Sequence, residues 1–220
     1  MGVFYSDMRD PKHKQILAHQ ESQNLTSWGP IVEDVAYPNP RDAPGMTVIA
    51  YIPPIRRWIL VHEFPGGPTK DSRSWGKQPN PVHYRFADSP FEFRFGYSYP
   101  IMVDGVQSNA APYVVWSSSG GPNGTILVSD NHWNSVFTNR WNGAPDKWEM
   151  HDSGAPRSYS RPLLVASDNP DNLIIVSAGS AGNNDPVLTS TTSSIAQILN
   201  DPPDQRDSGP FPAPGYGRNG

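Results

Sequence analysis

Short runs rich in β-branched and aromatic residues recur along this chain, each bounded by turn residues. The pattern predicts strands over Gly2–Met8, Gln15–Glu21, Ile31–Ala36, Met46–Ile52, Trp58–Phe64 and Val82–Ala87. Further strands are predicted over Tyr113–Ser117, Thr125–Ser129, Val136–Arg140, Leu163–Ala166, Leu173–Ala178 and Val187–Ser190. Pro53-Pro54, Pro65-Gly66-Gly67-Pro68 and the stretch Gly120 to Gly124 serve as turns between them. Ser193–Leu199 reads as a short helix or a last strand.

A weak internal period runs through the same pattern. A polar turn closed by an aromatic follows a strand at Ser22 to Trp28, at Ala87 to Phe93 and at Asn142 to Trp148. The closing aromatics are 65 and 55 residues apart. A unit of that size with three or four strands is the size of a propeller blade. The turn resembles a degenerate Asp-box, the hairpin signature of sialidase-type propellers. The expected fold is therefore all-β, an incomplete β-propeller of three to four blades over residues 1–200. A β-sandwich is the alternative with equally even strand spacing. Residues 201–220 are rich in Pro and Gly and are expected to be an unstructured tail.

Composition narrows this picture. Among 220 residues there are 25 Pro, 7 Trp, 9 Tyr and 8 Phe. The proline content excludes a helical bundle, because each interior Pro removes a helix hydrogen bond. The aromatic content argues against disorder. A net charge of −4 gives no footprint for nucleic acid. No apolar run is long enough to span a membrane, so no membrane partner is expected. Cysteine is absent, which excludes thiol chemistry and disulfides. The first residues read as a strand rather than as a signal peptide or a myristoylation site.

Candidate chemistry rests on what remains. The six His are scattered without zinc-ligand spacing, and no phosphate-binding loop is present, so no metal or cofactor is expected. Carboxylates, aromatics and arginines lie near strand ends, a combination that suits sugars. Aromatic faces stack on sugar C–H surfaces, and Arg, Asp and Asn bridge hydroxyls. Glu63 ends the apolar run Trp58 to Phe64, where burial would tune its pKa. It shares a strand face with Val61, so an outward surface position is the equal alternative. Asp7 and Arg9 follow the first strand and read either as a pocket pair or as a salt-bridged turn. Tyr159 and Arg161 precede the strand at Leu163 and read as a sugar clamp or as edge residues. Met46 is expected to pack in the core rather than to line a pocket.

Taken in order, several motifs resemble one family. They are Phe4 to His13, Leu17-Ala18-His19-Gln20, Trp28-Gly29-Pro30, Pro44-Gly45-Met46-Thr47, Glu63 in its strand, and Ser158-Tyr159-Ser160-Arg161. Their order and spacing are similar to those of fungal exo-α-1,5-L-arabinanases, glycoside hydrolase family 93, over roughly residues 3–180. The resemblance implies a six-bladed, sialidase-like propeller and a secreted, metal-free retaining exo-enzyme. Such an enzyme releases arabinobiose from linear arabinan with two glutamates and a tyrosine beside the nucleophile. By resemblance Glu63 is the second of those glutamates and Tyr159 the tyrosine. Asp7, Arg9 and Arg161 fall in motifs near the pocket.

The family's first catalytic glutamate lies shortly before the strand that here is Val3 to Tyr5. The resemblance thus implies the C-terminal half of the ring, missing its N-terminal half, and the chain alone is expected to hydrolyse arabinan weakly or not at all. Two alternatives follow. One is a non-catalytic, carbohydrate-binding half-propeller. The other is a self-assembling fragment, in which a homodimer joins open edges.

Overall fold

The computed structural model describes residues 1–64, 82–103, 106–107, 112–129, 135–141, 147–153, 163–180 and 186–200. The expected tail at 201–220 lies outside them. The regular secondary structure of the described residues is almost entirely strand. The first sheet holds β1 (Gly2–Asp7), β2 (Ile16–Glu21) and β3 (Val32–Val35). The second holds β4 (Gly45–Ile52), β5 (Arg57–Glu63), β6 (Val82–Ala87) and β7 (Tyr99–Pro100). A two-stranded ribbon, β8 (Met102–Val103) and β9 (Val106–Gln107), follows. The third sheet holds β10 (Val114–Ser117), β11 (Thr125–Ser129), β12 (Ser135–Asn139) and β13 (Glu149–Asp152). The fourth holds β14 (Leu163–Ala166), β15 (Asn172–Ser180) and β16 (Pro186–Ser194). Helix α1 (Ile195–Asn200) closes the described chain, so Ser193–Leu199 is strand at its start and helix after it.

Each of these sheets is an antiparallel meander of sequence neighbours, as in propeller blades. Strand β4 lies beside β1 and β10, and β10 lies beside β14, so successive sheets meet along their leading strands. The four sheets form an open arc, an incomplete ring among the described residues.

Alternation along single strands explains the stacking. In β5, Ile59 and Val61 are fully buried in a core shared with Val114, Ile126, Val128 and Phe137 of the third sheet. Leu60, between them, packs instead with Leu17, Val35 and Phe93 on the side of the first sheet. In β11 and β12, Leu127 and Val136 face a third core with Leu164, Leu173, Ile175 and Ile198. Strands buried on both faces read as continuous apolar runs, which Trp58–Val61 and Ile126–Val128 are. Each such side chain contributes roughly 1.5–3 kcal/mol.

The described turns at Pro53-Pro54 and Gly120 to Gly124 follow the sequence signals, while Pro65 to Pro68 lies outside the described residues. Between β10 and β11, Gly120 and Gly124 take positive φ of 88° and 70°. A Cβ on Gly124 would collide with the Ser117 carbonyl oxygen and the Trp116 ring, so the turn requires glycine there. In the sequence the repeated polar segment comes after β6 and β12, the third strands of their sheets, and after β2, the second strand of the first, with residues 142–146 of the copy after β12 outside the described residues. By this mark β1 corresponds to β5, and their C-terminal residues Asp7 and Glu63 end equivalent strands. The closing aromatics diverge: Phe93 and Trp148 are buried, whereas Trp28 is exposed, so the period does not mark a uniform core position. No helix among the described residues is long and apolar enough to cross a membrane.

Candidate functional site

The site is built where β1 and β5 end and β4 begins. Gly45 pairs directly with Glu63, and a bulge separates this pair from the regular ladder that starts at Val48 and Val61. A Cβ placed on Gly45 would lie 3.0 Å from Gln15 Nε2, 3.8 Å from Glu63 Oε1 and 3.8 Å from Ser6 Oγ. Three polar side chains from three strand ends or loops thus converge on one point that glycine leaves open. Gln15 is fixed there by donating to the Pro44 carbonyl at 2.6 Å. Glu63 is half-buried, and the face it shares with Val61 belongs to the core, not to an outward surface.

The bulge also re-aims Met46. Its φ of 52° is unusual for a non-glycine residue, and its side chain is 43% exposed. The expected core packing of Met46 is therefore corrected: the left-handed backbone turns the side chain out beside Gly45.

Asp7 and Arg9 form a fixed pair one residue beyond Ser6. Arg9 Nε and Nη2 donate to the two Asp7 oxygens at 2.9 Å each, and the Arg9 backbone N–H adds a third bond at 2.8 Å. These donors hold the Asp7 carboxyl below its usual range and the guanidinium above its own. Asp7 is buried, while the Arg9 side chain is 69% exposed, so the carboxylate orients the guanidinium toward solvent. Tyr159 and Arg161 lie outside the described residues.

Behind Glu63 sits a buried polar network that sequence reading treated as scattered histidines. His62 and His83 are cross-strand partners on β5 and β6. His62 Nδ1 lies 3.0 Å from the Glu63 carbonyl oxygen. A carbonyl only accepts, so this nitrogen carries the proton and Nε2 is the acceptor. Ser98 Oγ, 3.3 Å from His62 Nε2, supplies a donor and itself accepts from Arg85 Nε at 2.6 Å. The Tyr37 hydroxyl stands 3.0 Å from His83 Nδ1. Burial pushes His62 down to about 3 and His83 down to about 4, with the Arg85 charge acting in the same direction. Burial likewise pushes the Tyr37 hydroxyl up to about 12. Both histidines stay neutral at pH 7, and the network pins the backbone of Glu63. The signal that could have found it is the His62-Glu63 dipeptide in an apolar strand, but the partners come from three other segments.

A second buried pair, His19 Nδ1 with Asp34 at 2.8 and 2.9 Å, ties β2 to β3. Asp10, His13 and Glu33 bring three candidate ligand atoms within 4.8 Å of one another. Asp10 there already accepts the backbone N–H groups of Lys12 and His13, as in an ordinary turn.

No family model matches the sequence, and no curated protein matches it. Solved structures do. An α-L-arabinofuranosidase of Fusarium graminearum, bound to an iminosugar inhibitor, superposes with a TM-score of 0.80 and 32% identity. The same enzyme, described as a family 93 glycoside hydrolase, is matched in complex with arabinobiose at 32% identity. An α-L-arabinanase of Penicillium chrysogenum with arabinobiose follows at a TM-score of 0.79 and 28% identity. Each match covers 90% of this chain and 55% of the other, so the chain spans about half the length of these enzymes. A Hadza microbial sialidase at 11% identity and a TM-score of 0.52 shares the fold alone. The chain is thus a partial sialidase-like propeller that resembles the family 93 arabinanases over about half of their length.

Proposed function

We propose that this chain recognises α-1,5-linked arabinan at the Gly45 end of its sheets and contributes Glu63 to hydrolysis of the retaining type. The observation that carries this reading is the convergence of Glu63, Ser6 and Gln15 on Gly45. Retaining hydrolysis uses two carboxyl groups about 5–5.5 Å apart, one to protonate the leaving oxygen and one to attack the anomeric carbon. Glu63 fills one of these roles, with Tyr159 beside the nucleophile by resemblance. Arg9, oriented by Asp7, and Arg161 donate to sugar hydroxyls. The reading also makes the protein an extracellular one.

The second reading is sugar binding without turnover. It is favoured by the exposed Arg9 guanidinium that buried Asp7 orients, which can donate to a sugar without taking part in any chemistry. Titration with linear arabinotetraose and assay of arabinobiose release separate the two. Binding that weakens at least tenfold in Arg9→Ala supports recognition at this end, and absence of binding overturns it. Slow release that disappears in Glu63→Gln supports the hydrolytic role. Binding with no release from either protein overturns that role and leaves the second reading. Robust release by the 220-residue chain contradicts the expectation of weak turnover.

A further inference from the structure

A groove of about 470 Å³ lies between the second and third sheets, at the end of β5 opposite Glu63. Arg57 opens β5 and Glu63 closes it, so the two ends are about 20 Å apart at the usual rise per strand residue. The volume is within the range of about 300–1,000 Å³ typical of ligand pockets. Its walls are aromatic: Phe86, Tyr97, Tyr99 and Trp141 line it with Arg57 and Glu92. Tyr97 is 79% exposed and Tyr99 is exposed as well, so both rings are open to a ligand.

Trp141 is set into this wall by its backbone. Its φ is 40°, a genuine outlier for a bulky residue. Two asparagines hold it there: Asn139 Oδ1 accepts the Trp141 N–H at 2.7 Å, and Asn123 Nδ2 donates to the Trp141 carbonyl at 2.8 Å. The indole meets Phe86 edge-on at 4.9 Å. Sparsely populated backbone conformations that are held by several partners cluster at ligand clamps.

The polar groups suit a neutral ligand. Arg57 Nε lies 3.1 Å from Asp88 Oδ1, and its guanidinium stands over the Phe86 ring at 5.5 Å, so its charge is already matched. Glu92 offers acceptors on the exposed side. Flat ring faces beside polar side chains, with the Arg57 charge paired to Asp88 and Glu92 open as an acceptor, fit the C–H faces and hydroxyls of a glycan.

We propose that this groove is a second carbohydrate-binding site, which holds a neutral polysaccharide chain by stacking on Trp141, Tyr97 and Tyr99. That the chain is arabinan rests on the reading above; that it is a neutral glycan rests on the groove alone. Native gels containing linear arabinan or β-1,4-galactan test both points. Wild type is expected to be retarded by at least one polymer, and Tyr97→Ala/Tyr99→Ala to lose at least fivefold of that affinity. Asn123→Ala, which frees the Trp141 carbonyl, is expected to weaken retardation in the same direction. Failure of both polymers to retard the wild type overturns the proposal, as does equal retardation of the double variant. Loss of retardation in Glu63→Gln but not in the double variant overturns the groove and leaves the arabinanase reading standing. The reverse outcome supports the groove independently of that reading.

Discussion

At the scale of residues, the site depends on what is missing from one position. Gly45 takes no left-handed φ, so its value lies in the space above it, not in backbone freedom. Gly45→Ala would place a methyl 3.0 Å from the Gln15 amide, which is itself held on the Pro44 carbonyl. Stability is expected to change by less than about 1 kcal/mol, since Ala at a compatible site also restricts the unfolded chain. Affinity for arabinotetraose is expected to fall about tenfold, or ~1.4 kcal/mol. Titration paired with a urea melt checks both halves. Glu63 stands out in the sequence because a carboxylate in an apolar run is rare, and the fold sets it beside Gly45. Ser6 and Gln15 were not, because their approach to Gly45 depends on how the first sheet packs on the second. Met46 was misread because a bulge, not the alternation of the strand, decides where its side chain points.

At the scale of elements, the hairpins carried the clearest signals. The glycines between β10 and β11 divide by geometry. Gly124 combines φ of 70° with a blocked Cβ position, whereas a Cβ on Gly121 meets nothing closer than 3.8 Å. Gly124→Ala is expected to cost about 2–4 kcal/mol, from left-handed strain and crowding together. Gly121→Ala is expected to be neutral within about 0.5 kcal/mol. Urea midpoints of the two variants give the contrast, and equal midpoints would contradict this account of the turn. Twelve of the thirteen longer strands among the described residues were readable from β-branched and aromatic runs. Strands β7, β8 and β9 were not, because two residues carry no alternation. Strand β13 was missed because Glu149, His151 and Asp152 surround its single apolar residue, the partly buried Met150.

At the scale of the whole molecule, the first two sheets are joined by a polar network as well as by an apolar core, and this makes global stability depend on pH. Arg85 reaches from β6 to the Asp34 carbonyl on β3, and Tyr37 from the first sheet's side reaches His83. His62 and His83 titrate near 3 and 4 when folded, below the unfolded value of about 6.5. Below pH 6.5 the unfolded chain takes up protons that the folded chain refuses. The stabilisation is therefore complete above that pH and is lost as pH falls toward 4. Asp34 acts in the opposite sense, because burial raises its pKa and favours the protonated folded form at low pH. Asp7, Asp10 and Glu149 are held below their usual values, so they lose stabilisation only as pH drops through the unfolded carboxylate range near 4. Between pH 7 and 5 the two histidines dominate, and unfolding free energy is expected to fall by about 4 kcal/mol. Urea titrations at half-unit pH steps measure it directly. His83→Gln removes one of the two groups, so its loss over the same interval is expected to be about half that of the wild type. An unchanged slope in that variant would mean that the network does not hold His83 neutral.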